Sequence, residues 1–317
     1  MSLLGRASAE VATRIDGEGL LGEPIPLWRR TWQRLLRRRS GQVGLFLIGA
    51  LVLIAIFAPI IAPYDPEQVL IGVEDVSRRQ APCIHALGCD IAEPQHLMGV
   101  DGNFRDQYSR IVYGTRISLM IGLTTVSVAL LFGVFLGSVA AYFGGLIDNL
   151  IMRVMDVILG FPSLLLAIAI VAVLGPGIQN ALLAISIVTL PAYARVTRAS
   201  VLAVKELDFV AATRVLGGSP WRILFLRILP NAITPIVVLA TLGIATAILD
   251  AAGLSFLGLG AQPPMPEWGT MLGSERNQIF SAPHLVFFPG IAIMITVLGF
   301  NLLGDGLRDA LDPRLNS

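Results

Sequence analysis

Residues 157–194 form a run of 38 positions without one charged side chain, bounded by Asp156 and Arg195. No other feature constrains the fold as strongly. A helix needs roughly 20 apolar residues to cross a hydrocarbon core of about 30 Å, so this run is too long for a single crossing. Gly175-Pro176-Gly177 sits near its middle, and Pro beside Gly is the strongest local turn signal. The run therefore predicts two helices, at about 154–174 and 178–198, joined by a tight loop.

Four more apolar runs have the length of a crossing: 43–62, 117–143, about 230–254 and about 284–303. The expected fold is all-α and integral to the membrane, with six spans. Composition agrees, because only 14% of residues are charged and mean hydropathy is +0.74. Soluble domains carry about 25% charged residues. This balance excludes a water-soluble enzyme and a disordered chain. A net charge of +1 supplies no field to attract nucleic acid. The run at 43–62 is long enough to span, and the 40 residues before it are polar, so no signal peptide is expected at the start.

Basic residues set the orientation. Arg29, Arg30, Arg34, Arg37, Arg38 and Arg39 precede the first span and place the N-terminus in the cytoplasm. An even number of spans returns the C-terminus, with Arg308 and Arg314, to the same side. The segment between spans four and five, with Arg195, Arg198, Lys205, Arg214, Arg222 and Arg227, also falls inside. Arg78, Arg79, Arg105 and Arg110 in the long outer loop pull the other way and are outvoted. The expected divisions are a basic segment at 1–40, a first span at 41–63, an outer loop at 64–113, a transmembrane domain at 114–306 and a cytoplasmic tail at 307–317.

Segment 203–230 is the most informative stretch. An amphipathic pattern from Lys205 through Asp208 to Leu216 runs into Gly217-Gly218, and Ser219-Pro220 then has the form of an N-cap with proline at the first helical position. Two short helices across the spans would make a knob beneath the membrane. Val215 and Leu216 offer apolar contact, and Asp208 and Arg214 offer charge. A surface helix lying in the headgroups is the alternative.

Phe209-Val210-x-Ala212-x-Arg214-x-Leu216-Gly217, followed by Ile228-Leu229-Pro230-Asn231, resembles the coupling loop of importer-type ABC permeases. Further strings are similar to the second permease of dipeptide importers: Gly144-Gly145-Leu146-Ile147-Asp148-Asn149, Phe161-Pro162-Ser163-Leu164, Pro266-Glu267-Trp268-Gly269-Thr270 and Gly304-Asp305-Gly306-Leu307-Arg308-Asp309. The glutamate usual at the head of the coupling motif is Ala211 here, a departure that dipeptide members tend to share. The resemblance implies the type I ABC importer permease fold, with a coupling loop at about 203–222 that includes Asp208, Ala211, Ala212, Arg214, Leu216, Gly217 and Gly218. It implies import of dipeptides or short peptides, with nickel or oligopeptide importers as alternatives. It also implies a second homologous permease, two ABC ATPase subunits and an extracytoplasmic substrate-binding protein, in the plasma membrane of a bacterium.

The sequence contains no G-x-x-x-x-G-K-[ST] phosphate loop, so ATP and Mg are expected on the partner ATPases and no cofactor or metal on this chain. An enzyme is not expected. A freestanding ion-coupled transporter would need broken helices and several buried ionisable groups.

Asp250 stands in an uncharged stretch of span five and is a candidate for a gate or substrate path, or for a structural role near the outer end of that span. Cys83 and Cys89 share the outer loop with His85 and His96. On an oxidising face a disulfide is the first reading, with a Cys/His metal site or unpaired thiols as alternatives. Arg110 and Arg116 are expected to anchor span two at headgroup level, and Trp268 to act as an interfacial anchor.

Overall fold

The computed structural model describes residues 27–311, which form eleven α-helices and no named strand. Residues 1–26 and 312–317 lie outside the description, including Arg314 and most of the expected N-terminal segment and tail. In chain order the helices are α1 (Leu27–Leu35), α2 (Arg39–Ile61), α3 (Gln107–Phe143), α4 (Gly145–Leu159), α5 (Ser163–Leu174), α6 (Ile178–Lys205), α7 (Asp208–Val215), α8 (Pro220–Ile223), α9 (Leu229–Phe256), α10 (Trp268–Glu275) and α11 (His284–Leu311). A π-helical turn at Leu224–Ile228 joins α8 to α9, so Pro220–Phe256 forms one 37-residue apolar helix.

Five helices are long and apolar enough to cross a membrane, and the pair α4–α5 supplies a sixth crossing. That third span is not the single helix expected at 154–174. It bends by 91° between Leu159 and Ser163. Proline has no N–H and disfavours helical geometry at the residue before it, so Gly160-Phe161-Pro162 cannot carry the helix through. The second span exceeds expectation at its outer end. Its 37 residues reach roughly 55 Å at 1.5 Å per residue, well beyond the hydrocarbon thickness, and Asp106 caps its first turn by accepting from the Ser109 amide at 2.7 Å.

Lipid tails are as apolar as leucine, so close approach of backbones drives helix association in a membrane. Gly133 and Gly137 on α3 permit such an approach: a Cβ on Gly133 would lie 2.6 Å from the Tyr193 Cβ, and one on Gly137 would collide with the Ala194 backbone of α6. Gly44 lets α2 rest on the Leu303 backbone of α11 in the same way. Ile121, Val126, Ala129, Ile185, Tyr193, Ala247 and Leu254 form the central core among α3, α6 and α9.

The outer loop folds into a cap over the end of α3, held by buried polar contacts. His96 is fully buried, with Nδ1 2.8 Å from Asp106 and Nε2 3.2 Å from Glu74. The Tyr64 hydroxyl donates to Glu74 at 2.8 Å, and burial together with that carboxylate pushes the phenol up to about 12. Arg79 pairs with Glu275 of α10 at 2.8 Å. Two expected anchors are buried structural residues instead. Arg110 donates to the carbonyls of Pro66 (2.8 Å) and Pro264 (3.1 Å), and its buried guanidinium closes the cap onto α3. Trp268 is fully buried and donates to the Ile111 carbonyl at 3.1 Å. Arg116 is exposed.

Candidate coupling knob and its attachment

The knob is built from its turn outward. Gly217 has φ +79°, a left-handed conformation that a side chain with a Cβ adopts only at a cost. Its amide donates to Arg214 O at 3.0 Å and that of Gly218 to Thr213 O at 3.1 Å. These two bonds are the Schellman pattern that closes a helix C-terminus, and they turn the chain from α7 into α8. Ser219 occupies the N-cap position of α8, but its hydroxyl makes no capping bond, contrary to the capping role expected of it.

Val210, Ile223, Leu224 and Ile228 are buried together with Ala141 and Val201, which fixes the knob to the ends of α3 and α6. The opposite side faces outward. Val215 is 88% and Leu216 86% exposed, and Asp208, Ala211, Ala212 and Arg214 are exposed around them, with Gly218 half-buried in the turn. Two large apolar side chains thus stand exposed together at the tip of the turn.

Attachment to the spans comes from residues whose function the sequence did not reveal. The Lys205 ammonium donates to the carbonyls of Ala141 (3.1 Å) and Tyr142 (2.8 Å) and lies 5.7 Å from the Tyr142 ring centre. It thereby satisfies open carbonyls at the C-terminus of α3, where a cation also complements the helix dipole. Arg198 binds Asp148 of α4 through two bonds of 2.6 Å, and Arg195 binds Asp156 at 2.6 Å. An aromatic chain of Phe135, Phe225, Trp221 and Phe143, with centroids 5.3–6.3 Å apart, runs beside them. One signal was available: Lys205 is the single lysine among 23 basic residues.

The remaining candidates lie elsewhere. Asp250 is half-buried near the outer end of α9. Cys83 and Cys89 are joined as a disulfide in the outer cap, with Cα atoms 5.4 Å apart. The carboxylate of Glu93 lies beside their sulfurs, but sulfurs tied to each other do not act as thiolate ligands. His85 contacts the Glu93 carbonyl at 2.9 Å, and His96 is held by its two carboxylates, so neither belongs to a metal cluster among the described residues.

The described residues thus form a multi-pass helical bundle that carries a knob at one end of its spans. Residues 129–317 match the model of the binding-protein-dependent transport system inner membrane component, and residues 26–82 match the N-terminal transmembrane domain of oligopeptide transport permease C. The chain is 49% identical to a dipeptide transport system permease protein of Alkalihalophilus pseudofirmus, over 92% of this chain and 91% of that one. It is 46% identical to a glutathione transport system permease protein of Pectobacterium atrosepticum, covering 92% of each. It is 45% identical to a di/tripeptide transport system permease protein of Pseudomonas aeruginosa, over 93% and 94%. Among solved structures, an inward-facing methionine ABC transporter chain superposes with a TM-score of 0.53 at 18% identity, over 64% of this chain and 97% of that one. The chain belongs to the binding-protein-dependent transport system inner membrane component family, and its fold is that of an ABC importer permease.

Proposed function

We propose that this chain is the permease subunit of an importer for dipeptides and other short peptides, driven by ATP hydrolysis on partner subunits. The relatives' named cargoes, dipeptides, di/tripeptides and glutathione, support the substrate class. The carrying observation for the drive is the knob, where the Gly217 turn presents Val215 and Leu216 to solvent at the inner ends of the spans.

In this reading the basic α1–α2 junction, the knob and both termini face the cytoplasm of a bacterium, and the disulfide-bearing cap faces outward. A second homologous permease completes the path. Two ABC ATPases hold ATP and Mg and receive the knob tip in a groove. An extracytoplasmic binding protein delivers substrate to the cap. ATP binding closes the ATPases and pushes the knob, and the clasps at Lys205, Arg198 and Arg195 carry that displacement into α3, α4 and α6 as a rigid-body motion. The 91° break between α4 and α5 supplies a joint in the third span. The chain contributes path, seal and lever, and no catalytic group.

Uptake of a labelled dipeptide in cells with and without the gene tests this, with excess pentapeptide or nickel as competitor. Uptake lost on deletion and insensitive to nickel is the expected result. Uptake unchanged in cells that otherwise express the protein would overturn the substrate class.

A further inference from the structure

The junction between α1 and α2 carries a feature that peptide import does not use. Arg34, Arg37, Arg38 and Asp309 line a cavity of about 310 Å³ between this junction and the last turn of α11. Among the described residues none of the three guanidinium groups has an ion-pair or hydrogen-bond partner. Three cations against one anion leave the cavity with a surplus of positive charge.

The cavity walls are held in place. Leu35 is buried, and its side chain covers the contact where Gly41 and Gly306 meet. A Cβ on Gly306 would lie 2.6 Å from the Gly41 Cα, and one on Gly41 would lie 2.7 Å from the Leu35 Cδ1. The amides of Arg37 and Arg38 donate to the carbonyls of Arg34 (3.0 Å) and Leu35 (3.2 Å), closing the turn that gathers the arginines. The backbone that carries the three exposed arginines is therefore fixed opposite Asp309 on α11.

Depth points to the ligand. The first span begins at Arg39, so the cavity sits where a bilayer places its headgroups. Trp32 and Leu36 are exposed beside it, at 48% and 41%, and Val43 and Phe46 are exposed along the span that follows, at 47% and 73%. A cation cluster continuous with an exposed apolar face matches an amphiphile with a charged head and acyl chains. Guanidinium groups bind phosphate oxygens in bidentate fashion, and a carboxylate opposite them accepts a hydrogen bond from a hydroxyl.

We propose that this cavity binds an anionic glycerophospholipid. Its phosphodiester lies against Arg34, Arg37 and Arg38, a headgroup hydroxyl donates to Asp309, and its chains lie along Leu36, Val43 and Phe46. The site fastens the first span, which packs on the rest of the bundle mainly through α11 and α3, to the membrane surface.

Native mass spectrometry of the purified transporter, stripped of lipid and titrated with phosphatidylglycerol, phosphatidylcholine or inorganic phosphate, tests this. Phosphatidylglycerol should be retained over phosphatidylcholine, and inorganic phosphate should not displace it. Replacing the three arginines by glutamine (Arg34→Gln, Arg37→Gln, Arg38→Gln) should lower retention at least about tenfold. Asp309→Asn should erode the preference for phosphatidylglycerol over phosphatidic acid, which lacks the distal hydroxyl. Equal retention of both headgroups by the unaltered protein would overturn the proposal. So would displacement by inorganic phosphate, which marks a site for soluble anions. If the triple variant does not assemble, Arg37→Gln alone should give a smaller loss in the same direction, and no loss would again overturn it.

Discussion

Arg198 grips Asp148 through two hydrogen bonds of 2.6 Å across 50 residues of sequence, locking the inner half of α6 to the first turn of α4. The geometry is the planar fork that lysine cannot reproduce. Both groups are partly exposed, 35% and 16%, so the stabilisation is about 1 kcal/mol or less. Arg198→Lys should therefore leave thermal stability nearly unchanged while reducing uptake several-fold, and the exchange Asp148→Arg with Arg198→Asp should recover part of it. A stability loss in proportion to the transport loss would mark the pair as a simple staple.

Lys205 holds the end of α3 to the root of the knob. Lys205→Met strips the carbonyls of Ala141 and Tyr142 of their donor, at a cost of about 1–3 kcal/mol. Reconstituted transporter should then hydrolyse ATP at a nearly normal rate while uptake per ATP falls. Unchanged stoichiometry would remove Lys205 from the coupling path.

A β-branched residue at Gly217 meets the +79° backbone directly. Gly217→Val should cost on the order of 1–3 kcal/mol locally. Transport should be abolished with normal membrane abundance, because the cost is confined to a surface turn. Immunoblotting beside uptake measures both, and normal uptake would sink the assignment of this turn to coupling.

Trp268 fills the space between the outer cap and α3, and Gly114 makes room for its indole. Trp268→Ala should cost about 3–5 kcal/mol, lowering Tm and exposing the cap to proteolysis. Trp268→Phe loses chiefly the bond to the Ile111 carbonyl, about 1 kcal/mol. Thermal melts of the two variants should rank in that order.

Glu267, buried at the start of α10, has its carboxyl raised by burial, which outweighs the opposing bonds from Gly269, Thr270 and Ser255. With the folded value above the unfolded one of about 4.3, its contribution favours the fold at low pH and is lost as pH rises through the folded value. Glu267→Gln should therefore flatten the fall in Tm on going upward from about pH 4. An identical slope in the variant would show that the carboxylate stays ionised in the fold.

The number and order of the spans were legible in the residues because a bilayer imposes one length on every crossing. An uncharged run such as 157–194 has no other stable use. The turn was legible for a local reason as well, since Gly217-Gly218 before Ser219-Pro220 ends one helix and starts another. The second short helix expected across the spans instead runs on through the π-turn as the start of the fifth span. Tertiary structure alone decided the rest. Asp148, Arg153 and Asp156 stand before Gly160-Phe161-Pro162 and no charge follows it until Arg195, a change in pattern that marks a break but does not give its 91° angle. Arg110 and Trp268 have the composition of interfacial anchors and became buried ties, because Pro66, Pro264 and Ile111 offer them carbonyls from distant segments. Lys205 and Arg198 looked like topology-setting charge, and Asp148 was only one residue of a similar string, until folding brought their partners within hydrogen-bond reach. A short-range rule writes where a helix begins, ends or crosses. Which buried donor meets which acceptor depends on the whole chain's packing, because satisfying those groups is a condition on pairs, not on positions.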